Sequence, residues 1–151
     1  MSDTDELPVG VMTLAPSATQ RPADGAPPIL ELESVTKSYG GEPPVTALAG
    51  VSLAVTEGEL LAILGPSGSG KSTLLHLIGT LDRPSTGSIR VTGIDVSQLS
   101  DRQLAAVRAN RIGFVFQQFF LSEHATAVEN VADGLLYTGF PPRERQRAAR
   151  E

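Results

Sequence analysis

The sequence predicts an α/β fold, and the prediction rests on three segments that follow one another along the chain. Residues 51–55 alternate apolar and polar side chains, which is typical of a half-buried strand. Residues 59–64 form an almost continuous apolar run, as in a strand buried on both faces. A glycine-rich loop follows directly, and residues 72–81 place Leu and Ile at helical spacing. This order of strand, loop and helix indicates an α/β core.

The same patterns predict the other elements. Further strands are predicted at 29–35, 87–92 and 112–116, the last of them buried, and further helices at 101–109 and 127–137. Residues 40–44 and 57–58 have the glycine and proline content of turns, and Ser100 is the predicted N-cap of the helix at 101–109. A last, arginine-rich helix begins at Pro141-Pro142. It has no stop signal before Glu151, so we expect the chain to end within this helix.

Two regions are expected along the chain. Residues 1–28 are interrupted by five prolines and otherwise consist largely of small and polar residues, so they are predicted to form a disordered tail. Residues 29–151 are predicted to form the folded part, and the length of 151 residues is that of a single domain.

Composition excludes several classes of function. The formal net charge is −5 and the pI is about 5.0, which argues against a free-standing nucleic-acid binder because such proteins need a basic face. The chain has no cysteine, so disulfides and thiolate metal sites are excluded. No apolar run approaches the roughly 20 residues that span a bilayer, and acidic residues stand where a signal peptide would carry positive charge.

The glycine-rich loop matches the phosphate-binding P-loop, with Gly65, four further residues, and then Gly70-Lys71-Ser72. Glycines permit positive φ angles and keep side chains away from the phosphates, so that backbone N–H groups can surround an anion. The following helix adds the positive end of its dipole. The residues expected to bind the nucleotide here are Gly65, Pro66, Ser67, Gly68, Ser69, Gly70, Lys71, Ser72 and Thr73.

Each polar side chain of the loop has an expected role. Lys71 would place its charge on the β- and γ-phosphates, and Ser72 would offer a hydroxyl to Mg²⁺, which keeps several of its waters. Thr73 could donate to the α-phosphate. The alternative is a purely structural, glycine-rich turn between a strand and a helix that binds no ligand. The predicted strand before the loop and the predicted helix after it favour the phosphate-binding interpretation.

The flanking motifs resemble those of ATP-binding cassette (ABC) transporter ATPases. The resemblance covers about residues 29–151 and is closest to the lipoprotein-releasing and macrolide-export branch. It rests on the run from Leu64 to Leu75, on Leu81-Asp82-Arg83-Pro84-Ser85-Thr86-Gly87, on Ile112-Gly113-Phe114-Val115-Phe116-Gln117-Gln118 and on Ala127-Val128-Glu129-Asn130-Val131. It implies a P-loop NTPase nucleotide-binding core with an antiparallel β subdomain, with ATP and Mg²⁺ as cofactors.

The resemblance also implies roles for two further residues. Tyr39 looks like the aromatic that stacks on adenine, although spacing alone favours a strand-end tyrosine that covers the edge of the core. Gln117 looks like the Q-loop glutamine, which contacts Mg²⁺ and the attacking water, so that Lys71 and Gln117 are the expected catalytic residues. An ordinary exposed glutamine is the alternative, and Gln118 is the competing position.

Other polar residues predict no site. His76 is expected on the first helix and His124 in a loop without matching ligands. The arginines of the last helix are most simply a solvated helix face.

The family's signature motif, second acidic strand and switch histidine do not occur in these 151 residues. We therefore expect an incomplete ATP-binding domain, truncated before the signature motif and deficient in hydrolysis by itself. The expected partners are an ABC permease and a second ATPase subunit, with the chain on the cytoplasmic face of the membrane. Two alternatives stay open: a complete, non-hydrolysing module that regulates or interferes with a transporter, and a different P-loop enzyme such as a small-molecule kinase.

Overall fold

A computed structural model describes residues 27–118 and 120–151 of the chain. Nearly all of the predicted tail at 1–28 therefore lies outside the described residues. The chain divides into two compact units, one extending to Leu104 and the other running from Ala105 to Glu151. No helix in the described part of the chain has the length and apolar character needed to cross a membrane.

The first unit is built on strands β1 to β4 and helix α1. The elements are β1 Leu30–Tyr39, β2 Val45–Val55, α1 Lys71–Ile78, β3 Thr86–Val91 and β4 Ile94–Asp95. The strands form one antiparallel sheet in the order β2-β1-β3-β4. The predicted strands at 29–35, 51–55 and 87–92 are thereby confirmed, as are the turns at 40–44 and 57–58.

The core of this unit lies on one face of the sheet. Leu32 of β1 pairs with Leu53 on one side and with Ile89 on the other, and Leu32 and Ile89 are almost fully buried. Helix α1 packs against β2 and buries Leu74 and Leu77. The alternation seen in the sequence thus separates a buried face of the sheet from a solvated one.

A bulge interrupts the pairing of β1 with β3. Between the pairs Glu33–Ser88 and Thr36–Thr86 the register shifts, and Gly87 adopts a φ of 85°. A Cβ atom at Gly87 would lie 2.5 Å from the carbonyl oxygens of both Glu33 and Ser34. Only glycine fits this close approach of two backbones.

Helix α2 spans Asp101–Arg111, and the second unit contains α3 Ala127–Asp133 and α4 Pro142–Ala148. The Ser100 hydroxyl lies 3.5 Å from the N–H of Gln103, so the predicted cap is present. Helix α3 ends earlier than the predicted 137. Helix α4 ends at Ala148 with Ala149 as its C-cap, so the prediction that the chain ends within this helix is wrong.

The start of α3 carries a capping box that the sequence prediction did not include. The Thr126 side chain accepts the N–H of Glu129, and the Glu129 carboxylate accepts the N–H of Thr126 at 2.7 Å. The hydrogen bonds from the backbone and hydroxyl of Thr126 lower the pKa of Glu129. Two helix-terminal N–H groups are satisfied in this way.

Two predicted strands are wrong. Residues 59–64 and 112–116 are not strands, and no strand in the described ranges pairs with either segment. Leu60 and Val115 are fully exposed. Phe114 and Phe116 stack on one another, with ring centroids 5.5 Å apart, and Phe116 meets Phe120 edge to face at 5.9 Å, so these rings contact near neighbours in the chain. An apolar run becomes a buried strand only where neighbouring strands satisfy its backbone and other layers cover its faces.

Candidate phosphate-binding site

The loop at residues 65–70 leads directly into α1, as predicted. Gly70 is the N-cap residue with a φ of 89°, and no side chain caps this helix end. The first N–H groups of a helix have no partner within it, and here no acidic residue stands in the first turn. These N–H donors and the positive end of the helix dipole can therefore bind an anion.

Lys71 reaches back into the loop. Its Nζ donates to the carbonyl oxygens of Gly65, at 2.9 Å, and of Pro66, and it lies 3.5 Å from the Ser69 hydroxyl. The ammonium group of Lys71, the first residue of α1, is therefore held against the loop by its backbone carbonyls. A positive charge in this place suits the phosphates of a nucleotide.

The shape of the loop depends on close packing between its two ends. Ser69 is the buried member, whereas residues 65–68 are exposed. A Cβ atom at Gly65 would lie 2.7 Å from the Ser69 hydroxyl, so this position needs glycine. The backbone of the loop is thus accessible to a ligand and is shaped by its own contacts.

The loop fits a polyphosphate with a divalent cation. Ser72 is exposed in the first turn of α1, directly after Lys71, and Thr73 is half-buried beside it. A serine hydroxyl is one of the hard oxygen ligands that Mg²⁺ accepts while it keeps waters and phosphate oxygens. Lys71 and Ser72 are therefore on the helix end where the predicted phosphates and Mg²⁺ would lie.

Tyr39 lies at the end of β1 in the same unit and is 41% exposed. Its hydroxyl donates to Asp82 Oδ2 at 3.2 Å, and the ammonium of Lys37 lies 5.0 Å from the centre of its ring. Lys37 also donates to Asp82 Oδ1 at 2.7 Å and to the Arg83 carbonyl at 2.8 Å. The tyrosine is thus fixed at its hydroxyl while part of its surface stays open.

Asp82 is the centre of this cluster. Burial alone would raise its pKa, but hydrogen bonds from Lys37 and from the Arg83 N–H, the Lys37 charge and the Tyr39 hydroxyl outweigh burial and lower it. The sequence prediction assigned no role to Lys37 or Asp82. Asp82 stands in the motif that begins at Leu81, and Lys37 lies two positions before Tyr39, but only the fold brings the two residues together.

The remaining candidates lie apart from this loop in sequence. Gln117 and the competing Gln118 are in the second unit, and both are exposed. The role of Gln117 toward Mg²⁺ and water therefore stays a prediction. His76 lies in the last turn of α1 and is exposed, as is His124. Helix α4 buries no residue, in agreement with a solvated arginine face.

Several known proteins are similar to this chain in sequence. A family model described as ABC transporter matches residues 48–151. A lipoprotein-releasing system ATP-binding protein, LolD, from Geobacter metallireducens is 50% identical over 124 residues, which are 82% of this chain and 55% of that protein. A macrolide export ATP-binding/permease protein, MacB, from Nitrosomonas europaea is 51% identical over 126 residues, or 82% of this chain and 19% of that protein.

A solved structure gives the same result for the fold. It is a dimeric post-hydrolysis state of the ATP-binding cassette MJ0796 bound to ADP and Pi, with a TM-score of 0.72 and 44% identity. The alignment covers 80% of this chain and 53% of that chain. The predicted α/β nucleotide-binding fold is therefore confirmed, and the chain spans about half the length, or less, of the relatives that it matches.

Proposed function

Because this chain belongs to the ABC transporter family as an ATP-binding domain, we propose that it binds Mg²⁺-ATP through residues 65–73 and Tyr39 as part of a transport ATPase. The observation that carries the proposal is the P-loop itself, in which the Lys71 ammonium lies against the Gly65 and Pro66 carbonyls at the uncapped start of α1. The start of α1 thus combines free backbone N–H groups, which favour an anion, with the positive charge of Lys71.

Each residue of the loop has a defined part in this function. The N–H groups at the start of α1 and the Lys71 ammonium hold the phosphates, and Ser72 holds Mg²⁺. Magnesium supplies neutralisation of the charge on the phosphates. Tyr39 offers its exposed ring to the adenine, which is a large apolar contact with few rotatable bonds. Gln117 is proposed to contact Mg²⁺ and the attacking water.

Nucleotide binding is tested by titrating the 151-residue chain with Mg²⁺-ATP in a calorimeter. Lys71→Ala removes a charged hydrogen-bond donor and is expected to weaken binding about tenfold to hundredfold. Arg90→Ala is the matched control, because Arg90 lies on β3 and pairs with Glu31 and Glu33 rather than with the loop. Equal affinities of the Lys71→Ala variant and the wild type would contradict the proposal.

We further propose that these 151 residues bind ATP without turning it over by themselves. The motivation is the absence from this sequence of the signature motif, the second acidic strand and the switch histidine. Phosphoryl transfer depends on a positioned water and neutralised charge, and those parts of the family's machinery are not here. Phosphate release by the purified chain, above that of Lys71→Ala, would refute this part of the proposal.

The partners proposed for the parent protein are an ABC permease and a second ATP-binding subunit. The relatives are consistent with both, since MacB is named as an ATP-binding/permease protein and the cassette MJ0796 was solved as a dimer. The proposed location is the cytoplasmic face of the membrane, held there by the permease. Co-purification of the tagged protein with a membrane subunit, and its loss after removal of that subunit, would test this assignment.

A further inference from the structure

The cluster of Lys37, Tyr39 and Asp82 joins two parts of the proposed nucleotide site. Asp82 lies four residues after the last residue of α1, Ile78, and its N–H donates to the His76 carbonyl at 3.3 Å. The N-terminus of the same helix carries the phosphate loop. Asp82 is thus tied to the end of α1 that is opposite the phosphates.

The segment that carries Asp82 is also fixed to the end of β1. The Ser85 N–H donates to the Thr36 carbonyl at 2.8 Å, and the Ser38 N–H donates to the Ser85 hydroxyl at 3.0 Å. Asp82 therefore has a defined place relative to Tyr39, which is the last residue of β1.

Asp82 contacts Tyr39 directly and also contacts Lys37, which lies over the Tyr39 ring. One carboxylate oxygen accepts the Tyr39 hydroxyl at 3.2 Å, and the other holds the Lys37 ammonium at 2.7 Å. Lys37 in turn lies 5.0 Å from the centre of the Tyr39 ring, within the distance of a cation–π contact. The Lys37 side chain is only 12% exposed, so this contact is partly shielded from water.

We propose that Asp82, acting with Lys37, is a positioning residue that holds the Tyr39 ring at the angle at which it stacks on the base of the nucleotide. The inference rests on the proposed function, since it requires that Mg²⁺-ATP binds and that Tyr39 contacts the base. Its chemical basis is preorganisation: a ring fixed before binding loses less rotational freedom when the ligand arrives.

The test compares two probes that differ in the nucleoside. Mg²⁺-ATP carries adenine and ribose, whereas Mg²⁺-tripolyphosphate carries only phosphates, so the ratio of their affinities measures the contribution of the nucleoside, and the loss of that ratio in Tyr39→Ala measures the part that depends on the ring. Asp82→Ala removes both contacts and is expected to lower this ratio about threefold, against about tenfold for Tyr39→Ala. Asp82→Asn keeps an acceptor for the hydroxyl and is expected to restore part of the ratio.

A role in folding alone would lower the affinities for both probes together and leave their ratio unchanged. Glu31→Gln is the matched control, because it removes a surface ion pair with Arg90 on the same sheet without touching Tyr39. Tyr39→Phe removes only the hydroxyl, so it keeps the test open if Asp82→Ala does not fold. The affinity ratio of Tyr39→Phe is expected to fall. In the Tyr39→Phe background, Asp82→Ala should lower the ratio by less than the same substitution does in the wild type.

The two proposals fail in different ways. If the wild type does not bind Mg²⁺-ATP, or Lys71→Ala binds it equally well, the proposed function fails. If the wild type binds and Tyr39→Ala lowers the ratio, but Asp82→Ala and Tyr39→Phe leave it unchanged, only the positioning role is overturned. A ratio that Tyr39→Ala leaves unchanged also overturns the positioning role.

Discussion

Two leucine-containing segments of the first unit were both predicted to be strands, but only one of them is. In β1, Leu32 is 2% exposed and has a paired strand on each side. In residues 59–64, Leu60 is 97% exposed and no described strand pairs with the segment. An apolar pattern thus shows that burial of the side chains would stabilise a segment. Formation of a strand also requires hydrogen-bond partners for the backbone.

The first prediction concerns the pairing that gives β1 its partner. Gly87→Ala would place a methyl group 2.5 Å from two backbone oxygens at a φ of 85°, so it should lower the free energy of unfolding by about 3–5 kcal/mol. Gly93→Ala is the control, because its φ of 78° is similar but nothing lies within 4 Å, and it should cost about 1–2 kcal/mol. Urea unfolding measures both. Equal effects would mean that strand pairing does not depend on this close approach.

The second prediction compares the two leucines directly. Leu32→Ala leaves a cavity in the packed core and should cost about 3 kcal/mol. Leu60→Ala removes an exposed side chain and should change the free energy of unfolding by less than about 0.5 kcal/mol. The same unfolding experiment serves for both. A loss at Leu60 as large as that at Leu32 would show that residues 59–64 are packed in solution, which would contradict the exposure of this segment.

The smallest expected effect is the acid dependence of the link between β1 and the end of α1. The pKa of Asp82 is lowered from 3.8 in the folded protein, so its stabilising contribution is complete above about pH 4 and is lost as the pH falls through the folded-state pKa. Asp82→Asn should reduce stability at about pH 6 and flatten the loss below about pH 4. Urea unfolding across this range checks the sign. An unchanged acid slope in the variant would contradict the assignment.

Sequence reasoning located most of the first unit and the whole phosphate loop. The period of two in β1 and β2, and the helical spacing after the loop, led to elements close to those observed. The position of the P-loop motif before α1 could be predicted because its residues are contiguous, so the local sequence specifies the loop and the start of the helix. The Tyr39 cluster could not, because Asp82 is 43 residues from Tyr39 and meets it only after the sheet forms.

The sequence by itself determined where the glycine-rich loop lies, close to which residue α1 begins and which faces of β1, β2 and β3 are apolar. These features depend on neighbours within a few positions, so their physics is local. Only the tertiary structure decided which apolar runs became strands. It also brought Gly87 close to two backbone carbonyls and placed Asp82 in contact with both Lys37 and Tyr39. Strand pairing, close backbone approach and the partly buried ion pair of Lys37 with Asp82 join distant residues, and no local pattern specifies such partners.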